Sequence, residues 1–142
     1  MAKRNDDLVI AAILCKWCSY AGADLAGTSR VKYPENVRVI KVPCSGRVSP
    51  RFAIKALYEG ADGVLISGCH PGDCHYSEGN MRARRRMFTF KTLTEFMGIE
   101  EERIQMSWVS ASEAAKWKSV VEDVLDTVNR VGRNIIFEDG NE

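Results

Sequence analysis

Apolar residues run without a break through Leu8-Val-Ile-Ala-Ala-Ile-Leu14, the pattern of a strand buried on both faces. Residues 37–42, Val-Arg-Val-Ile-Lys-Val, are β-branched and partly alternating and predict a second strand; 63–67 and 104–109 predict a third and a fourth. The stretches between them carry helical spacing. A short Ala-rich helix over 20–26 is expected to end at Gly27. Ser49 followed by Pro50 marks an N-cap and a first helical position, and Gly60 closes that helix after Glu59. Residues 77–97 make the longest helical segment, with Met87, Phe90, Leu93 and Met97 along one side and Gly98 as a stop. Ser110-x-x-Glu113 reads as a capping box that opens a last helix. Trp117, Val120, Val121, Val124, Val128 and Val131 recur along it at helical spacing as far as Gly132.

Strands and helices alternate, which predicts an α/β fold. The expected form is one domain over 1–132 with a four-stranded, mainly parallel sheet flanked by helices, of the flavodoxin or Rossmann type. Residues 133–142 read as a C-terminal tail. A length of 142 residues suits one such domain. Apolar residues at 45% and charged residues at 27% exclude a disordered chain and a fibre. The longest early apolar run, 8–15, falls far short of the roughly 20 residues of a membrane helix. Asp6 and Asp7 precede it and no small-x-small cleavage site follows, so a secretion leader is not indicated. The expected compartment is the cytoplasm, where thiols stay reduced. A net charge of +1 gives no general attraction to nucleic acid or to a membrane surface.

Five cysteines, all between positions 15 and 74, change this ordinary picture. An odd count excludes a complete intramolecular disulfide framework. Cys15 follows the first strand and Cys18 opens the next helix; Cys44 follows the second strand; Cys69 and Cys74 follow the third. In an open parallel sheet, ligands bind beyond the carboxyl ends of the strands. All five thiols are therefore expected on neighbouring loops at one sheet edge. Soft thiolate donors suit zinc or an iron–sulfur cluster. The spacing lacks the paired Cys-x-x-Cys knuckles of a structural zinc site, whereas a [2Fe–2S] cluster takes four thiolates and accepts them from separate loops. Zinc in an interaction module is the alternative centre. A dithiol oxidoreductase at Cys15-x-x-Cys18 is another alternative, and it leaves three cysteines without a role. No Gly-x-Gly-x-x-Gly or Gly-Lys-Ser/Thr supports a nucleotide site.

His70 and His75 each follow a cysteine directly. They are read as hydrogen-bond donors to cluster sulfurs or loop carbonyls, with direct ligation as the alternative. Arg82, Arg84, Arg85 and Arg86 open the long helix just beyond the cysteine loop. Their guanidinium groups would offset the negative charge of a thiolate-ligated cluster and dock an acidic partner, unless they simply form a solvated face. Trp17 and Tyr20 either shield the centre from water or belong to the core.

Three motifs carry a resemblance: Cys15-Lys-Trp-Cys-Ser-Tyr-Ala-Gly-Ala-Asp-Leu-Ala-Gly27, Val42-Pro-Cys-Ser-Gly-Arg-Val48 and Gly68-Cys-His-Pro-Gly-Asp-Cys-His-Tyr76. With Arg84-Arg-Arg86, Glu95-Phe-Met-Gly-Ile99 and Ser107-Trp-Val-Ser-Ala-Ser-Glu113, they closely resemble the iron–sulfur delta subunit of methyl-viologen-reducing hydrogenase. The resemblance implies a small, non-catalytic electron-transfer subunit with a [2Fe–2S] cluster, part of a hetero-oligomeric complex in methanogenesis. It implies a [NiFe] hydrogenase or a formate dehydrogenase as electron donor. The implied acceptor is the flavin-containing subunit of heterodisulfide reductase. Four ligands are needed and five cysteines are present. Cys44, Cys69 and Cys74 are expected to serve with Cys15 or Cys18, Cys15 being preferred because it ends a strand.

Overall fold

Every residue of strand β1, Ile10–Cys15, is buried. The computed structural model, which describes residues 8–30, 32–70, 79–132 and 134, shows why. β1 lies between β2 (Val37–Val42) and β3 (Gly63–Gly68), and β4 (Ile104–Trp108) completes a sheet of order β2-β1-β3-β4. All three pairings are parallel. Parallel strands need crossovers, and helices α1 (Ser19–Thr28), α2 (Pro50–Tyr58), α3 (Gly79–Phe96) and α4 (Ala114–Val131) supply the cover. Side chains alternate along β1: Ile10, Ala12 and Leu14 pack toward α1 and α4 with Trp117 and Val121. Ala11 and Ile13 pack toward α2 and α3 with Leu57 and Met87. An apolar run without polar interruption is what two covered faces demand. The expected single-domain α/β class with helices on both faces is the observed one.

Local signals account for several boundaries. Ser49 Oγ accepts from Arg51 N at 3.2 Å and Pro50 takes the first helical position of α2. Gly60, at φ +115°, ends it in a conformation that a Cβ disfavours. Other expectations need correction. Helix α1 does not stop at Gly27 but continues to Thr28, and Arg30 at φ +58° takes the left-handed position that commonly ends a helix. Helix α3 buries Asn80, Ala83, Met87 and Thr94, not Leu93 or Met97, which are exposed. Small and polar residues share that face with Met87: Asn80 bonds to the carbonyls of the Cys69 loop and Thr94 to the Lys91 carbonyl within the helix. The capping box is half-formed: Ser110 N donates to Glu113 Oε1 at 2.9 Å, but α4 begins at Ala114 after the turn. Of the tail expected over 133–142, Asn134 alone is among the described residues.

The amino-terminal edge of the sheet is held by a polar network. Arg103, 1% exposed, pairs its Nε with Glu100 Oε2 at 2.6 Å. Its Nη1 donates to the carbonyls of Asp62 (2.8 Å) and Gly132 (2.9 Å). The buried Asp62 carboxylate accepts from Val9 N at 3.0 Å and from Asn134 N at 2.9 Å. Buried charge is tolerated here because each group is paired and hydrogen-bonded.

Candidate metal centre at the carboxyl edge of the sheet

Strand register carries the cysteines to the opposite edge. Cys15 is the last residue of β1, and Cys69 follows directly after β3. Their sulfurs lie 3.6 Å apart, both buried. Cys18, the N-cap residue of α1, also hydrogen-bonds to the Cys69 thiol. Burial, and then these two neighbouring thiols, push the Cys69 thiol far above its ordinary pKa. Cys44 is buried one loop away. It N-caps the short 3-10 turn Ser45–Arg47, where its sulfur accepts from Gly46 N at 3.3 Å. Cys74 and His75 lie outside the described residues. Among the described residues, no three Cys, His, Asp or Glu groups stand ready to hold a metal ion.

A frame fixes the loops that bear these thiols. Ser19 Oγ lies 2.9 Å from Ser67 Oγ and donates toward the Gly68 carbonyl at 3.1 Å, docking the start of α1 on β3. Asn80, fully buried at the start of α3, donates through Nδ2 to the carbonyls of Cys69 (2.8 Å) and His70 (2.9 Å). Arg86 Nη1 donates to the carbonyls of Gly46 (3.0 Å) and Val48 (2.7 Å). A Cβ on Gly46 would meet the Gly79 backbone at 2.9 Å, so only glycine permits this approach of the Cys44 loop to α3. Helix α3 is thus a strut joining two cysteine loops.

The remaining expected residues sort unevenly. His70 Nε2 is hydrogen-bonded to Glu113 Oε1, with Lys116 Nζ 3.5 Å away, so its described partners are not sulfurs. The Ser110 backbone N–H, and then His70, hold the Glu113 carboxyl down at about 2. Arg82, Arg84 and Arg85 are exposed and their guanidinium groups have no partner among the described residues, whereas Arg86 is engaged with the Cys44 loop. Trp17 is 41% exposed with Lys16 above its ring, so it does not join the core. Tyr20 packs against the core edge, with Lys41 above its ring. Sequence reasoning missed Ser45, Asn80 and the pairing of Glu113 with His70. Glycines at 46, 68 and 79 beside the cysteines were the available sign of close backbone packing.

The donor set fits an iron–sulfur centre. Buried thiols that resist deprotonation as free groups become ligands when a cationic centre draws off their protons. Ser45 adds a second indication. Its Oγ is buried without a hydrogen-bond partner among the described residues, against Gly68 and between the Cys44 and Cys69 loops. An orphaned hydroxyl in that place suits an acceptor such as a cluster sulfur. Thiol-bearing loops at the carboxyl edge of a parallel sheet, the edge at which such sheets bind ligands, make this a thiol-rich α/β domain.

Over residues 10–132 the chain matches the family described as methyl-viologen-reducing hydrogenase, delta subunit, and it belongs to that family. The iron-sulfur subunit of the vhc F420-non-reducing hydrogenase of Methanococcus voltae is 47% identical over 123 residues, 87% of this chain and 85% of that one. The iron-sulfur subunit of the F420-non-reducing hydrogenase of Archaeoglobus profundus is 48% identical over 123 residues, 87% of this chain and 90% of the relative. A third relative belongs to the ferredoxin/F(420)H(2)-dependent CoB-CoM heterodisulfide reductase of Methanosarcina acetivorans. It is 43% identical over 123 residues, 87% of this chain but 16% of its own length. No helix among the described residues is long and apolar enough to cross a membrane.

Proposed function

We propose that the chain carries a [2Fe–2S] cluster and relays electrons one at a time within a hydrogenase–heterodisulfide reductase complex of the cytoplasm. The observation that carries this reading is the contact of Cys69, at the end of β3, with Cys15 at the end of β1 and Cys18 at the start of α1, with Cys44 on the adjoining loop. Cys44, Cys69 and Cys74 serve as ligands with Cys15 or Cys18. Cys15 is preferred, since it ends a rigid central strand and its thiol already touches Cys69. When bound, the cluster supplies a one-electron couple. The chain's own residues do the rest: Asn80 and Arg86 hold the loops at fixed separation, and Ser45 donates to a cluster sulfur.

The acceptor in this reading is the flavin-containing subunit of heterodisulfide reductase. Support comes from the relative named as part of that enzyme, in which a similar stretch belongs to one longer polypeptide. The donor is a [NiFe] hydrogenase, as the names of the delta-type relatives suggest, with formate dehydrogenase as the alternative. The Cys15–Cys69 contact also favours a second reading, a dithiol couple without metal. Anaerobic purification followed by visible and EPR spectroscopy tests both. The cluster reading expects visible absorption bleached by dithionite and a reduced EPR signal. A colourless, EPR-silent chain whose oxidised, disulfide form takes up two electrons and two protons to give two thiols supports the dithiol instead. A colourless chain with stoichiometric zinc contradicts both.

A further inference from the structure

Helix α3 leaves the cysteine edge as a rod about 27 Å long, at 1.5 Å per residue over its 18 residues. Its outward side is divided. The first two turns present Arg82, Arg84 and Arg85, whose guanidinium groups have no partner among the described residues. The last two and a half turns present Phe88 at 76%, Leu93 at 50% and Phe96 at 90% exposure, with Met97 just beyond the helix. Beside Phe88 a cleft of about 550 Å³ is floored by Met87 and Phe90 and bounded by Ile104 and Met106 of the edge strand β4. Phenylalanine this exposed, in a row with other large apolar groups, marks a surface that another molecule covers.

We propose that the outer face of α3 is the docking surface for a protein partner with an apolar centre and carboxylates at one end. The proposal rests on the reading of the chain as one component of a redox complex. Charge selects the occupant. A second copy laid parallel on this face sets arginine on arginine; laid antiparallel, it sets arginines against phenylalanines and a single carboxylate, Glu95. One carboxylate leaves the three exposed cations largely unneutralised, whereas an acidic protein surface does neutralise them. Nucleic acid is disfavoured because the aromatic residues are not interleaved with the arginines. Glu95 within the apolar half disfavours an anionic lipid surface. In a protein interface Glu95 asks for a cation opposite, which fixes the direction of docking along the helix. Asn80 ties the base of α3 to Cys69 and His70, so a partner seated on this rod is held in line with the thiol edge.

The test uses the tagged full-length chain, co-expressed with the hydrogenase and heterodisulfide reductase subunits of its own organism and followed by size-exclusion chromatography. Two surface variants are compared with wild type: Phe88→Ser with Phe96→Ser, and Arg82→Glu with Arg84→Glu and Arg85→Glu. Lys55→Gln on α2 is the control. Circular dichroism and iron content confirm that each variant is folded and loaded. Each α3 variant is expected to weaken association by about tenfold or more, with the control unchanged and wild-type binding falling as salt rises. Variants that assemble as well as wild type overturn the proposal alone. So does a wild-type homodimer abolished by Phe88→Ser with Phe96→Ser, or wild-type binding to anionic phospholipid vesicles lost in the arginine variant. A folded wild type that binds neither set of subunits overturns the underlying reading as well.

Discussion

The two edges of the sheet are built on opposite terms. At the amino-terminal edge Asp62, Glu100, Arg103 and Asn134 join three elements through close, mutually satisfied hydrogen bonds. At the carboxyl edge a satisfied frame of Ser19, Ser67 and Asn80 surrounds thiols, weak donors of which Cys15 and Cys69 face one another, and a serine hydroxyl with no partner among the described residues. One edge is complete as a structure. The other is a set of soft donors on braced loops. Stability and function are therefore expected to separate under mutation, one edge controlling the fold and the other the cluster.

Arg103→Ala should produce the largest loss of stability. It removes a fully buried side chain and leaves the Asp62 and Gly132 carbonyls without that donor, while Glu100 stays half exposed. The cost is about 2–3 kcal/mol, to be read from chemical denaturation of the apo chain. Iron per folded chain should stay unchanged. Cys69→Ser should do the converse, abolishing cluster retention while shifting apo stability by less than about 1 kcal/mol. A comparable loss of fold in both variants would break the contrast between the edges. Arg86→Ala falls between them. It removes two hydrogen bonds from the Cys44 loop, about 1–2 kcal/mol, and iron retention should fall with a changed EPR line shape that Arg86→Lys partly restores.

Smaller effects sharpen the same comparison. The Glu113 carboxyl is held at about 2 instead of 4.5, first by Ser110 N–H and then by His70. A depressed carboxylate stabilises the fold above its unfolded pKa, and the stabilisation is lost as pH falls through the folded value. Wild-type apo chain should therefore be more stable than Glu113→Gln above pH 4.5, with the gap closing as pH falls toward 2, as thermal melts across that range would record. Ser45→Ala should leave folding and iron content intact and make the cluster potential more negative. A lost donor to a cluster sulfur disfavours the more negative, reduced form, and redox titration followed by EPR reads that shift.

Legibility in the sequence followed the physics of each feature. The continuous apolar run of β1 and the capped, glycine-ended α2 are local patterns, and both elements appear where those patterns fall. Placing Cys15, Cys18, Cys44 and Cys69 at one edge needed only strand order and the rule for parallel sheets. The buried face of α3 was not legible. Met87, Phe90, Leu93 and Met97 look like a core stripe; Met87 is buried, but Leu93 and Met97 are exposed. The inward face instead carries Asn80, bonded to the loop carbonyls of Cys69 and His70, with Ala83 and Thr94. Likewise, four neighbouring arginines read as one charged surface until Arg86 is seen bonded to a loop 40 residues earlier in the chain. Contacts between residues so far apart leave no trace in local spacing. The same holds for Glu113, whose capping-box role was visible while its pairing with His70 was not.

The central claim, that the carboxyl edge holds an iron–sulfur cluster while the amino-terminal edge only holds the fold, is tested most directly by iron and acid-labile sulfide determination. The measurement is made on anaerobically purified wild type beside Cys69→Ser and Arg103→Ala. The account predicts about two irons and two sulfides per folded chain in wild type and Arg103→Ala, and neither in Cys69→Ser. Equal iron in wild type and Cys69→Ser, or stoichiometric zinc without sulfide in wild type, would contradict it.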